Sequence, residues 1–426
     1  MQIVVRQALI SDIFSPFHGQ TKDIFINNGT IDGIEDHIET RENVVFVQED
    51  ELIVSPGWVD SFAHFNDPGF EFKETLLSGS QAAAAGGFTE VFTLPNTSPV
   101  VDAKSQVEFI TAKNHASTIQ VHPLGAISKR IEGKELAEMF DMYNSGAIAF
   151  TDGLFPVQSS GLLLKALQYV KAFNGVILQM PIDRSIQPNG LMHEGILSAQ
   201  LGLPGIPAIA EELMIEKMIS LLRYTESKLH IAGVSSGRSL ELIKAAKKEG
   251  LRLTCSIAPY HLFFCDEDLK DYDTNLKTPL PLRSRTDMIA LREATRNGDI
   301  DIVASFHLPQ EDDNKQCEFE YAGAGMNVIQ NSFQVLNTVL PDLSNEQLTG
   351  LLSSNARRIF GLPTPNLQVG QQAEITLFNR NQEEVVRRQA LRSRSNNNPF
   401  TDKTLRGKVF GIINKGKLLL NPIPKL

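Results

Sequence analysis

Cysteine is scarce in this chain: Cys255, Cys265 and Cys317 are the only three in 426 residues. An odd number with no CxxC spacing suggests neither a disulfide framework nor a thiolate zinc site. Cys255, inside the apolar run LRLTCSIAP, reads as a buried inert thiol. Long hydrophobic runs are absent too. No stretch reaches the ~18–20 apolar residues of a membrane span, and Arg6 and Asp12 interrupt the opening before a secretory leader develops. A cytoplasmic location is therefore expected. Basic charge is in deficit: the formal net charge is −10, which argues against a nucleic-acid surface or an anionic membrane as partner. No glycine-rich dinucleotide fingerprint follows an early strand, which disfavours an open dinucleotide-binding sheet.

What is present is an alternation. The first 55 residues read as short strands, MQIVVRQALI, DIFINNGTIDGI with an Asn28-Gly29 turn, and NVVFVQ. From 56 to 362, apolar runs alternate with helix-like stretches. TEVFTLPN, IQVHPLGA, GAIAFTD, GVILQMP, KLHIAGVS, LRLTCSIAP and IDIVASFHLP, with one more around residues 57–64, make about eight buried strands. Between them, SSGLLLKALQYVKAF and SLELIKAAKKEG place apolar residues three and four apart. The pattern predicts a (β/α)₈ barrel over 56–362. The tail returns to strands, AEITLFN and KVFGIINKGKLLLN. Residues 1–55 and 363–426 are expected to pair into one small β-sandwich domain. SRSNNNPF, at 393–400, reads as an ordered polar loop.

In such a barrel, chemistry sits just after each strand. The segment PGWVDSFAHFNDPGFEFKETLLSGSQAAAAGGFTEVFTLPNTSPVVD resembles the opening of a dihydroorotase, a member of the amidohydrolase superfamily. GAIAFTDG, LGLPGIPAIAEE, KLHIAGVSS, APYHLFFCDEDL, NLKTPLPLR, LSSNARRIFGLP and SRSNNNPF resemble further family landmarks in the expected order. Allantoinases and hydantoinases share the metal motifs, but the P-N-T-x-P and NLKTPLPLR segments favour dihydroorotase. The resemblance implies reversible ring closure of carbamoyl aspartate to dihydroorotate. It also implies one or two zinc ions that polarise the carbonyl and supply hydroxide.

Set against that implied site, most of the required residues are missing. The family's His-x-His is Phe62-Ala63-His64 here. The bridging carboxylate position is kept as Asp152. The next two histidine positions are Gln179 and Gly233, and the catalytic aspartate position holds Phe306. Only His64 and Asp152 remain as residual metal donors, fewer than the three protein ligands a catalytic zinc takes. The substrate-carboxylate arginine is Asn66 and the last family histidine is Gln310. Asn96 and Asn275 are kept as candidate substrate contacts, against the plainer reading of loop asparagines. His230, His261 and His307 stand near the lost positions and read as core histidines rather than replacement ligands.

The two phenylalanines are large enough to fill the volume that ions and water would take. The expectation is a pseudoenzyme of dihydroorotase type with no cofactor and no catalytic residue, acting as scaffold or regulator of aspartate transcarbamoylase and forming a homo-oligomer. The alternative is an active cyclic amidohydrolase with a remodelled site, zinc-bound if so. A third reading is a module that binds a pyrimidine intermediate through Asn96 and Asn275.

Overall fold

The computed structural model describes residues 1–39, 44–114 and 117–421. Asn43 of the NVVFVQ run and the terminal residues 422–426 fall outside the described residues. Every residue of the strands Trp58–Ala63, Phe88–Thr93, Ile177–Gln179 and Leu229–Ala232 is buried. Continuous apolar runs of this kind form where both faces of a parallel sheet are covered. Trp58–Ala63, Phe88–Thr93 and Gln120–Pro123 pair in parallel, as do Ile177–Gln179, Leu229–Ala232, Leu253–Ile257 and Ile302–Val303. Parallel bridges join the two sheets at both margins. Phe150 bridges Gly125 and Ile177, and Ala63 bridges His307. The eight segments thus follow one another in a closed parallel circuit, called the ring below.

GAIAFTD is the segment that departs most from expectation, because it contributes bridges at Phe150 rather than a full strand. Left-handed glycines on either side, Gly146 at φ 109° and Gly153 at φ 57°, turn the chain away before a longer ladder can form. The helices between ring segments begin where serine supplies a cap. Ser159, Ser236 and Ser284 accept amide hydrogens at the starts of Ser160–Lys171, Gly237–Lys248 and Arg285–Arg296.

The chain ends meet. Strands from both share an eight-stranded sheet, in which Ile53–Pro56 runs antiparallel to Ile375–Val385. The pairing joins all of these strands into one sheet, where a sandwich of two was expected. Part of that sheet packs on the ring: Phe378, Val409 and Ile412 belong to the same apolar cluster as Trp58, Phe88 and Phe333. Trp58 lies 5.0 Å from Phe333 and 5.2 Å from Phe378, ring to ring. Arg357 ties the two parts together from a fully buried position. Its Nη1 donates to Glu90 at 2.6 Å, and its Nη2 donates to the Gly57 carbonyl at 3.0 Å and to Glu374.

The 393–400 segment is an ordered loop. Ser395 Oγ donates to the Lys73 carbonyl, and Asn397 Nδ2 donates to the carbonyls of Leu308 and Gly325. It is thereby fastened across the C-terminal ends of the ring segments. Among the described residues, no helix is long and apolar enough to cross a membrane.

Candidate functional site at the ring mouth

The residues singled out above stand at the C-terminal ends of ring segments. His64 follows Trp58–Ala63, Asp152 follows the Phe150 bridge, and Gln179 ends Ile177–Gln179. Gly233 follows Leu229–Ala232, and Phe306 comes three residues after Ile302–Val303. The fold gathers them, but not as a donor set.

Phe62 and Phe306 stack, with ring centroids 4.4 Å apart and planes 25° apart. Both are buried in the cluster that also holds Phe92, Leu124, Ala232, Leu280 and Met326. An aromatic pair in this geometry adds about 0.5–1.5 kcal/mol beyond burial of its area. Phe306 takes a left-handed backbone, φ 51°, a conformation that a bulky residue adopts only where its surroundings impose it. Gly233, at φ 85°, lies against the same plug. A β-carbon there would overlap Leu280 Cδ1 and stand 3.1 Å from the Phe306 ring.

The two retained donors are both engaged elsewhere. His64 Nδ1 accepts the Asn66 amide at 2.9 Å, so Nε2 carries the proton and donates to the Asn96 carbonyl at 3.1 Å. Neither ring nitrogen has a free lone pair. Burial drives the His64 pKa down to about 4, so the ring is neutral at pH 7. Asp152 Oδ1 accepts the amides of Ile127 and Ser128, each at 2.9 Å, and Oδ2 accepts the Ser128 hydroxyl at 2.5 Å. Burial nevertheless raises the Asp152 pKa to about 6, because those bonds only partly offset desolvation. Gln179 Nε2 donates to the Val157 carbonyl at 3.0 Å, while its buried Oε1 has no partner among the described residues. Among the described residues, no cluster of three or more His, Cys, Asp or Glu side chains is placed to hold a metal. A zinc ion would have to displace Asn66 or Asn96 from a His64 nitrogen, and at Asp152 it would share Oδ2 with the Ser128 hydroxyl, with no third donor beside them among the described residues. The residues present do not fit that group.

The residues expected to contact substrate have partners within the chain as well. The Asn96 side chain receives the Leu154 amide at 3.2 Å and donates to the Asp152 carbonyl at 3.1 Å, which fixes the loop rather than facing a ligand. Asn275 is half-buried, and its backbone amide donates to Asp273 Oδ1. Gln310 Oε1 accepts from Lys73 and Asn314, each at 2.8 Å. Asn66 turns at φ 56°, with Nδ2 3.5 Å from the His64 carbonyl.

His230 and His261 lie in the core. Burial lowers their pKa values to about 3 and 4, and they bond Thr254 Oγ1 at 2.9 Å and the Leu280 carbonyl at 3.0 Å. His307 is buried, with Nδ1 accepting the Val328 amide at 3.3 Å and Nε2 3.4 Å from Glu74.

Two polar features escaped the sequence reading. Asp60 closes the ring by accepting the Ser305 amide at 2.9 Å and the Ser305 hydroxyl, and burial raises its pKa to about 6. Glu74, also buried, receives Ser78, Ser393 and the Arg394 amide beside His307. Burial alone would raise the Glu74 pKa, but His307 and the two serines outweigh it and hold the carboxylate low. Only the polar Asp60 inside an apolar run carries a signal in sequence. Glu74 carries none.

Solved structures of hydantoinases and dihydropyrimidinases share this architecture. L-hydantoinase from Arthrobacter aurescens superposes with a TM-score of 0.85 at 21% identity, covering 100% of this chain and 97% of that one. Dihydropyrimidinase from Brevibacillus agri gives 0.82 at 17% identity, covering 99% and 95%. At such identities the likeness is one of fold.

Sequence comparison narrows the class. The family model described as Dihydro-orotase-like matches residues 51–239. A dihydroorotase from Caldanaerobacter subterraneus subsp. tengcongensis is 36% identical over 98% of this chain and 97% of its own. One from Pelotomaculum thermopropionicum is 37% identical over 99% of each. The chain belongs to the dihydroorotase family.

Proposed function

We propose that this protein retains the (β/α)₈ barrel of a dihydroorotase without its metal chemistry, and acts in pyrimidine biosynthesis as a non-catalytic scaffold or regulator of aspartate transcarbamoylase. The observation that carries the reading is the Phe62–Phe306 stack, which fills the ring mouth where ligand and catalytic positions fall. It is supported by the engagement of every donor atom on His64 and Asp152. A refilled, well-packed centre is what selection for the fold, rather than for turnover, leaves behind. Association with the transcarbamoylase, self-association and a cytoplasmic location belong to the same proposal.

The direct test follows dihydroorotate ring opening with purified protein at neutral pH, with and without added zinc. The expected result is no turnover above buffer. Turnover abolished by Asp152→Ala would overturn the reading. A second reading, an active dihydroorotase with a remodelled site, draws on the names of the relatives, which are 36% and 37% identical over nearly the whole chain. It assigns Asp152, whose pKa stands at about 6, as general base on water. The same assay separates the two.

A further inference from the structure

Beside the phenylalanine plug, the ring mouth opens into a cleft of about 430 Å³. Its walls are mostly apolar: Leu154, Phe155, Ile182, Ile206, Pro279 and Pro281. Leu280, which packs over Gly233 next to the Phe306 ring, also lines it. Four charged groups face this space, and three are already neutralised or tied down. Glu211, buried, accepts the amides of Ser235 and Ser236 and the Ser235 hydroxyl, with Arg283 at 3.5 Å. Arg283 in turn donates to the Ile206 carbonyl at 2.7 Å and to Ser235 Oγ at 3.1 Å. Asp183 is turned onto the amide and hydroxyl of Ser185.

Arg184 differs. Its Nη2 donates to the Leu154 carbonyl at 2.7 Å, and its guanidinium lies 4.6 Å from the centroid of the Phe155 ring. No carboxylate among the described residues comes within ion-pair distance of it. Stacking on one face and a carbonyl on one corner hold the fork in place, leaving other N–H groups to donate to a planar anion.

We infer that this cleft binds a small carboxylate with a flat apolar body. The body lies among Phe155 and the prolines, and the carboxylate rests on Arg184. One free fork suits a singly charged carboxylate. A phosphate would bring more charge beside Asp183 and Glu211 without a second free cation. Apolar walls with one oriented polar anchor are the usual make-up of small-molecule sites of this size. The site uses no metal and none of His64, Asp152, Asn96 or Asn275, so it stands whichever reading of the ring mouth holds.

The test is ligand-observed NMR on the full chain, with benzoate as probe and benzamide as its neutral counterpart. Benzoate is expected to bind with a Kd of about 1 mM and benzamide at least about ten-fold more weakly. Arg184→Gln should lose about ten-fold for benzoate, Arg184→Lys less, and Ile182→Trp, which narrows the cleft, should abolish binding of both. Arg285→Gln, at an exposed arginine paired with Glu267, should change nothing. Equal binding of the two probes, benzoate affinity unchanged in Arg184→Gln, equal losses in Arg184→Gln and Arg285→Gln, or no benzoate binding at all would each overturn the proposal. Thermal midpoints of the variants confirm that any loss is local.

Discussion

Putting a histidine back at position 233 tests whether the centre is eroded or refilled. Gly233 sits at φ 85°, in the left-handed region, and a β-carbon would overlap Leu280 Cδ1 and approach the Phe306 ring to 3.1 Å. The backbone conformation costs a non-glycine residue about 1–2 kcal/mol. Overpacking a filled core costs about 1–3 kcal/mol more. Gly233→His should therefore destabilise the protein by roughly 2–5 kcal/mol, and Gly233→Ala by an amount near the lower end of that range. Urea unfolding reads this as a lowered midpoint at unchanged slope. The steric part is separable from the backbone part, because removing Leu280 relieves only the former. In a double-mutant cycle, Gly233→Ala should cost about 1 kcal/mol less in a Leu280→Ala background than alone. The reasoning fails if Gly233→Ala is neutral, or if its cost is the same in both backgrounds. Gly233→His without loss of stability, and with zinc bound, would show that room for a ligand persists.

Three further outcomes are expected. Purified protein dialysed against a mild chelator should hold far less than stoichiometric zinc by elemental analysis, since both His64 nitrogens are engaged and the described residues place no group of three donors together; a full equivalent would refute this. Stability should fall as pH drops from 6.5 toward 4.5. Buried His64, His230 and His261, with pKa values lowered to about 4, 3 and 4, resist protonation only when folded, and so favour the native state less as pH falls through 6.5. Asp60 and Asp152, raised from 3.8 to about 6, act oppositely in that window, but their two smaller displacements lose to the three histidines; His261→Gln should flatten the slope, and a slope of reversed sign would contradict the assignment. Co-expression with the organism's own aspartate transcarbamoylase should yield a complex on size exclusion that buries on the order of 1,200–2,000 Å²; it should survive His64→Ala, and independent elution with unchanged transcarbamoylase activity would remove the scaffold proposal.

The sequence alone determined the order of elements and the identities at the critical positions. Buried parallel strands declare themselves as unbroken apolar runs. A phenylalanine at a ligand position is legible without coordinates, since no conformation makes its ring a metal donor. Serine caps and the Asn28-Gly29 turn are equally local. What the sequence left open depends on groups far apart along the chain. Which nitrogen of His64 carries the proton was decided by the Asn96 carbonyl, 32 residues away, and Asp152 is held by amides 24 and 25 residues before it. Gly233 reads as a lost histidine in sequence, but in space it is the position that lets Leu280 and Phe306 approach. Asn96 is retained as a residue type, yet its side chain is held by Leu154 and the Asp152 carbonyl. Residue type specifies which bonds a side chain can make. Only the packed structure decides which of them are made, because buried polar atoms take whatever partners the fold brings within reach.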